Sequence, residues 1–392
     1  MREVWLDYLR VSACFLVMVV HATEPFYLGG DGALVLTATD AFWVSVFEGL
    51  ARCCVPVFVL VSSYLQFPLH YSTGEFFRRR ALRILPPMLF WTLVYAFVWG
   101  EPVANLKGLL LNFNYAAGHL WFVYMLCGLY LIMPLLSPWA RQVGRRELSV
   151  YLAIWGITLC IPFVREAAGG IAPLIQAADG LPAPALFPLW GEASWNPFGL
   201  FYYVSGFAGY LLAGLYIKKF VSCTRWTGIL GWTLFLVGFM CIFSGFLGRI
   251  GASADGFPVA GPLEWAVAWE TPLSFCGLPV ALTAIGLTLA FRRSFSPAEG
   301  RGAEHSEESG FYRMVIRPLS GAGYGMYLAH MLVLSVVSGW LREWLGVGLD
   351  GLWGIWTTPL QIVLTALVSF IVVGLAAILL QRIPRVGKWI MG

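Results

Sequence analysis

The stretch Leu9-Arg10-Val11-Ser12-Ala13-Cys14-Phe15-Leu16-Val17-Met18-Val19-Val20-His21-Ala22 decides the fold class. It is an apolar run of membrane-spanning character that holds two ionisable side chains. Arg10 and His21 are eleven residues apart. At 3.6 residues per turn that offset returns the second side chain to within about 20° of the first, roughly 16 Å further along the axis. Two ionisable groups on one face of such a helix are costly in lipid. They must face protein or a wet cavity, and they point to function. Arg10, close to a helix end, also suits plain snorkelling to the interface. That reading is weaker for His21, which has apolar neighbours on both sides and lies on the arginine's face. Its plain alternative is a satisfied structural histidine.

The rest of the chain repeats the pattern. Over 392 residues, 59% are hydrophobic and only 12% charged, with a mean hydropathy of +0.75. Soluble domains carry about twice that charge fraction. Apolar runs of membrane length recur from end to end, as an all-α polytopic membrane protein requires. Ten spans are expected, at about 7–28, 41–63, 85–99, 119–137, 148–164, 199–217, 227–247, 270–291, 320–340 and 358–381. They form a single membrane domain over 1–392. Arg10 would interrupt a signal-peptide core, and no small-x-small cleavage site follows it, so the first run reads as a retained span. The eight cysteines are scattered, mostly in apolar runs, with neither metal-ligand spacing nor a disulfide framework. The net charge of +4 reports orientation in the bilayer and gives no reason to expect a nucleic-acid partner.

Basic residues set that orientation. Arg2, Arg10, Arg78 to Arg80, Arg83, Arg141, Arg145, Arg146, Lys218, Lys219, Arg225 and the basic residues from Arg292 on, except Arg342, fall on one set of span ends. They are 20 of the 25 Lys and Arg, so both termini are expected in the cytoplasm. The far side carries a long loop at 165–198, rich in Pro and aromatics (Pro182, Pro184, Pro188, Trp190, Trp195, Pro197). Its Glu192 and Trp195 can meet a sugar or serve as ordinary interfacial anchors. The segment 292–318, with Glu304, His305, Glu307 and Glu308, reads as a charged cytoplasmic linker.

Five groups of residues can carry chemistry. Asp7 and Arg10 are at i,i+3 and can pair, and His21 and Glu24 share that spacing. Glu24 can therefore hold the imidazole in one tautomer, the base-plus-orienter arrangement that acyl transfer to a hydroxyl needs. Arg79 belongs to a basic run in which Arg80 and Arg83 project from one side of a helix. Paired guanidiniums bind phosphates bidentately. A cytoplasmic nucleotide cofactor fits them, and anionic lipid headgroups or plain positive-inside anchoring are the competitors. Glu48 and Arg52, at i,i+4 inside the second span, can bury each other as a structural ion pair or shape the site. His119, Trp121 and Tyr124 open the fourth span, as an aromatic belt or as an acceptor site. In the ninth, small residues allow close packing around Tyr324 and Tyr327, while mid-membrane His330 needs a polar partner.

Taken in order, these motifs resemble the integral-membrane acyltransferase 3 family over essentially the full length. Trp5-Leu6-Asp7-Tyr8-Leu9-Arg10 with His21 resembles its first-helix signature. Val55-Pro56-Val57-Phe58 through Leu65 resembles its second-helix motif, with Ser63 where that family usually has glycine, a change expected to tighten local packing. Arg80-Ala81-Leu82-Arg83 is similar to its paired-arginine motif, His119-Leu120-Trp121-Phe122 with Tyr130 to Pro134 to its fourth-helix motif, and Tyr324 to His330 to its late motif.

The resemblance implies a bacterial inner-membrane enzyme that takes an acyl group, usually acetyl, from cytoplasmic acyl-coenzyme A. The acceptor is a sugar hydroxyl of a surface polysaccharide or its lipid-linked precursor. Some members carry a fused periplasmic domain, which is not expected here before Gly392. On this reading Arg80 and Arg83, with Arg79 beside them, hold the phosphates and Arg10 lines the path inward. His21 acts as base or as acyl-accepting nucleophile, Tyr324 and Tyr327 donate to the thioester oxygen, and the acceptor enters from the far side near His119, Trp121 and the 165–198 loop. Succinyl competes with acetyl, and a homo-oligomer is compatible. The competing class is a secondary transporter or a flippase component of glycan assembly.

Overall fold

The computed structural model describes residues 3–29, 32–112, 115–179, 190–191, 196–296, 309–345 and 357–392. The protein is an all-α polytopic bundle, and among the described residues nine helical stretches are long and apolar enough to cross a membrane. The helices are α1 (Val4–Thr23), α2 (Ala38–Ala51), α3 (Cys54–Gln66), α4 (Thr73–Val98), α5 (Pro102–Leu109), α6 (Trp121–Gln142), α7 (Arg145–Asp179), α8 (Ala208–Phe220), α9 (Arg225–Ala252), α10 (Leu263–Trp269), α11 (Leu278–Phe295), α12 (Arg317–Leu345), α13 (Thr358–Gln381) and α14 (Gly387–Met391). The first of them is the hub, packing on α2, α3, α11, α12 and α13. That central position lets its one polar face meet side chains from both ends of the sequence. A small antiparallel sheet, β1 (Leu28–Gly29), β2 (Gly32–Val35) and β3 (Val259–Pro262), pairs Val35 with Val259 beside a cluster that includes Tyr27, Phe246 and Trp269.

Three departures from the expected layout have local causes. The second span is two helices, broken at Arg52 and Cys53. Pro56 lacks the N–H that would bond Arg52 O, so the ladder stops where the guanidinium leaves the helix. The expected span 199–217 is a 3₁₀ turn (Gly199–Val204) followed by the thirteen-residue α8. Between them Gly206 takes φ +76°, a left-handed conformation that suits glycine. The segment still runs antiparallel to α7 along its length. Arg165 bonds Pro197 O, Trp155 Nε1 donates to Gly206 O at 2.9 Å, and Arg145 Nε donates to the Tyr216 hydroxyl at 3.3 Å. The third departure is the far-side loop, because α7 continues as helix to Asp179. Pro182, Pro184, Pro188, Glu192 and Trp195 lie outside the described residues. So do Glu304, His305, Glu307 and Glu308 of the expected linker, whose flanks are helical at α11 and in a π-helical turn at Tyr312–Ile316.

The first turns of α1 and the C-terminal residues lie at the end of the bundle that carries Arg80 and Arg83. Tyr8 stacks on Phe295 at 4.3 Å, and Arg10 shares a cavity with both arginines. At the other terminus, Trp91 Nε1 donates to Ile390 O at 3.0 Å, and Gly392 lies against Tyr324 and the Arg83 carbonyl.

Close backbone approaches hold the bundle together. Ser63, where glycine is usual in the motif, is buried and donates to Leu211 O at 2.5 Å. It seats against Gly214 of α8, where a Cβ would come within 2.6 Å of it. The α9–α11 contact is tighter still: a Cβ at Gly231 would fall 2.6 Å from Ala290 N and 2.8 Å from Gly286 O. Backbone cannot swing aside as a side-chain tip can. Gly231→Ala therefore spreads this helix pair and costs about 1–3 kcal/mol, the usual scale of overpacking. A lowered thermal midpoint in nanodiscs reads it out.

Candidate active site

His21 lies in the last turn of α1, where the helix gives way to a 3₁₀ turn at Glu24–Phe26. Its Nδ1 meets Glu24 Oε1 at 2.8 Å, so the i,i+3 pairing read from the sequence is formed. That contact occupies one ring nitrogen and leaves Nε2 for chemistry. The His330 ring lies 5.1 Å away, centroid to centroid, and His119 lies 5.0 Å beyond His330. Three imidazoles from α1, α12 and the turn before α6 thus stand in series. His330 finds the polar partner it needed, because Nδ1 bonds Tyr327 O. The Nε2 atoms of His330 and His119 are buried and have no hydrogen-bond partner among the described residues.

A second cluster forms about Arg10. Asp7 is buried and accepts from Tyr312 at 2.7 Å and from Ser320 at 2.6 Å. Arg10 donates to Ser320 Oγ at 2.9 Å and lies 3.6 Å from Asp7. Asp7 therefore offsets the cost of the guanidinium and aims it. Arg10 lines a cavity of about 300 Å³ together with Arg80 and Arg83. Both belong to α4, which begins at Thr73 under a Ser72 cap, so the run is helical and its i,i+3 pair does share a side. Arg83 is exposed, and Arg80 sits deeper between Phe76 and Tyr130, 5.7 Å from each ring. Arg80 Nε and Gln66 Oε1 are buried here with no hydrogen-bond partner among the described residues.

The arginine cavity and the histidine chamber adjoin. A space of about 140 Å³ is lined by His21, Glu24, Arg52, His119 and Trp121, and it shares Phe58, Phe122 and Tyr327 with the arginine cavity. Arg52 reaches its wall from the break between α2 and α3. The guanidinium lies 3.6 Å from Glu48, 3.6 Å from Glu270 and 4.8 Å from the centre of Phe275. Thr23 donates to Glu48 at 2.6 Å, and Tyr27 to Glu270 at 2.7 Å. The sequence pair Glu48–Arg52 is therefore part of a larger network beside His21.

Some expected site residues are elsewhere. Arg79 is exposed, pairs with Glu75 at 2.6 Å and lies over Tyr71 at 4.4 Å, turned away from the cavity that Arg80 and Arg83 line. Tyr124 is 40% exposed and lines none of these cavities. Tyr324 and Tyr327 do wall the arginine cavity, yet their hydroxyls donate to Ile84 O and His119 O. They tie α12 to α4 and to the start of α6, a geometry that does not support donation to a thioester oxygen. Sequence reasoning placed His119 with the acceptor and His330 with structure. It did not see that they continue the row begun by His21. The available signal was that three of the five histidines fall in apolar segments.

A membrane bundle with a partly buried histidine–acid pair in a chamber that adjoins an arginine-lined cavity has the parts of a group-transfer enzyme. The chain matches the family described as an acyltransferase domain over residues 3–378, so it belongs to the acyltransferase 3 family. Comparison with curated proteins and with solved structures returned no match.

Proposed function

We propose that this membrane acyltransferase moves an acyl group, by preference acetyl, from cytoplasmic acyl-coenzyme A to a sugar hydroxyl of a surface polysaccharide or its lipid-linked precursor. It would do so in the bacterial inner membrane, with both termini in the cytoplasm. The observation that carries this reading is the adjacency of the Arg10–Arg80–Arg83 cavity and the His21 chamber, which share Phe58, Phe122 and Tyr327 in their walls.

The residues suit the donor. Arg83 at the rim and Arg80 deeper in present guanidiniums to phosphates, and the orphaned Arg80 Nε and Gln66 Oε1 offer further polar contacts. The apolar walls beyond them fit a slender thioester-bearing arm. Arg10, fixed by Asp7 and Ser320, lines the route inward. His21, oriented by Glu24, takes the proton of the acceptor hydroxyl as its oxygen bonds to the thioester carbon. The C–S bond breaks, and the departing sulfur accepts that proton.

The test is thermal unfolding of the purified protein with acetyl-CoA, coenzyme A and succinyl-CoA. A ligand that binds the native state raises the midpoint by mass action, by about 2.7 kcal/mol of added stability at a hundred times Kd. Wild type is expected to shift with acetyl-CoA. Arg80→Ala and Arg83→Ala are each expected to lose most of that shift while unfolding normally without ligand. A shift that survives in both variants removes the phosphate site from this cavity.

A further inference from the structure

His21 also lines a second chamber, whose wall includes neither Arg52 nor His119. This cavity of about 210 Å³ lies between α12 and α13 and reaches α4 at Trp99. Its polar wall comes from Ser335 and Ser338 on α12 and from Gln361 and Thr365 on α13. Glu24 joins His21 in both chambers, so the pair stands in the partition between them.

From this arrangement we infer that the α12–α13 cavity holds the acyl acceptor, and that the acceptor group is an uncharged, hydroxyl-bearing ring on an apolar stem. The inference rests on the acyltransferase reading above. Charge separates this chamber from the arginine cavity. Among the described residues no Lys or Arg lines the α12–α13 cavity, whereas three arginines line the donor side. An anionic group would be desolvated here with no Lys or Arg counter-charge among the described residues and with Glu24 facing it. A neutral polyol loses little, because hydroxyls and an amide replace its water. Ser335 already donates to Leu332 O at 2.8 Å, which leaves its oxygen to accept. Trp99 adds an aromatic side chain to the same wall, of the kind that meets the C–H side of a sugar ring. The stem follows from position. Val336, Val363 and Leu367, beside these polar residues, are exposed on the outer faces of α12 and α13. The cavity thus lies at the rim of the bundle, where an apolar chain can remain in lipid. Sequence reasoning had brought the acceptor in near His119, Trp121 and the 165–198 loop, but His119 and Trp121 wall the chamber that adjoins the donor cavity.

The experiment uses the full chain in nanodiscs and hexyl β-D-glucoside as probe, with hexyl phosphate as its charged counterpart and coenzyme A as the donor-side ligand. Apparent Kd values come from thermal midpoints in wild type, Thr365→Phe, Ser338→Leu and Arg80→Ala. The glucoside is expected to shift wild type and Arg80→Ala alike. Its apparent Kd is expected to weaken by about tenfold or more in Thr365→Phe and Ser338→Leu, which fill the cavity from opposite walls. Both should keep the coenzyme A shift, which also reports that they fold. No glucoside shift in wild type overturns the inference. So does a shift undiminished in both cavity variants, an equal shift with hexyl phosphate, or loss of the coenzyme A shift in both. A coenzyme A shift that is absent from wild type or untouched by Arg80→Ala fails the donor reading instead, and the glucoside arm still stands.

Discussion

His21→Ala is expected to lower acyl transfer by about 10²–10⁴-fold, the range that a positioned acid–base group supplies. The fold should survive. The side chain is partly exposed to cavities, and alanine is a good helix residue at the end of α1. Donor binding should survive too, because Arg80 and Arg83 line a cavity whose wall does not include His21. The expected signature is thus an acetyl-CoA thermal shift like that of wild type, with no labelled acetyl reaching the acceptor. Glu24→Gln should give a smaller loss, since the imidazole remains and only the partner of Nδ1 at 2.8 Å changes. The same preparations separate two routes that the sequence left open. If His21 carries the acyl group, wild type incubated with labelled acetyl-CoA and no acceptor retains label that hydroxylamine releases, and His21→Ala retains none. If it acts as a base, neither retains label. Normal transfer by His21→Ala would remove the residue from the chemistry altogether.

Much of this site was legible before any coordinates because helical period is a local property. The Arg10–His21 face, the His21–Glu24 pair and the Arg80–Arg83 pair each depend on one helix or one turn, and each is formed. What was not legible depends on how separate helices rotate and dock. His330 meets His21 across more than 300 residues of chain, and only the packing of α12 on the hub helix brings them to 5.1 Å. Arg79 shares its run with Arg80, yet Glu75 one turn earlier draws it off the cavity. Tyr324 and Tyr327 were chosen for their hydroxyls, whose targets are backbone carbonyls on α4 and before α6. Hydropathy likewise gave a continuous span at 199–217, but could not register that Gly206 adopts a positive φ and divides it.

Arg52→Ala should be the most destabilising single change near the site, at about 3–5 kcal/mol, the cost of stranding a buried ionic partner. Glu48 has no exposed surface, and its Oε2 lacks a hydrogen bond, so the guanidinium at 3.6 Å is the main offset for that oxygen. Removing it also takes from Glu270 the cation at 3.6 Å, leaving the Tyr27 hydroxyl on its other oxygen, and frees Leu273 O, to which Arg52 Nε donates at 3.1 Å. The expected measurement is a lower thermal midpoint and a faster loss of folded protein at constant temperature. Adding Glu48→Gln to Arg52→Ala should recover about half or more of the loss. The amide keeps a carbonyl for the Thr23 hydroxyl, now at 2.6 Å from Glu48, and leaves no lone buried acid. This double variant also decides between the two roles read for the pair. Arg52 lines the His21 chamber, so a purely structural guanidinium predicts that transfer returns in step with stability. Restored stability with transfer still absent would mean that Arg52 acts on what the chamber holds, through the face it presents beside Phe275.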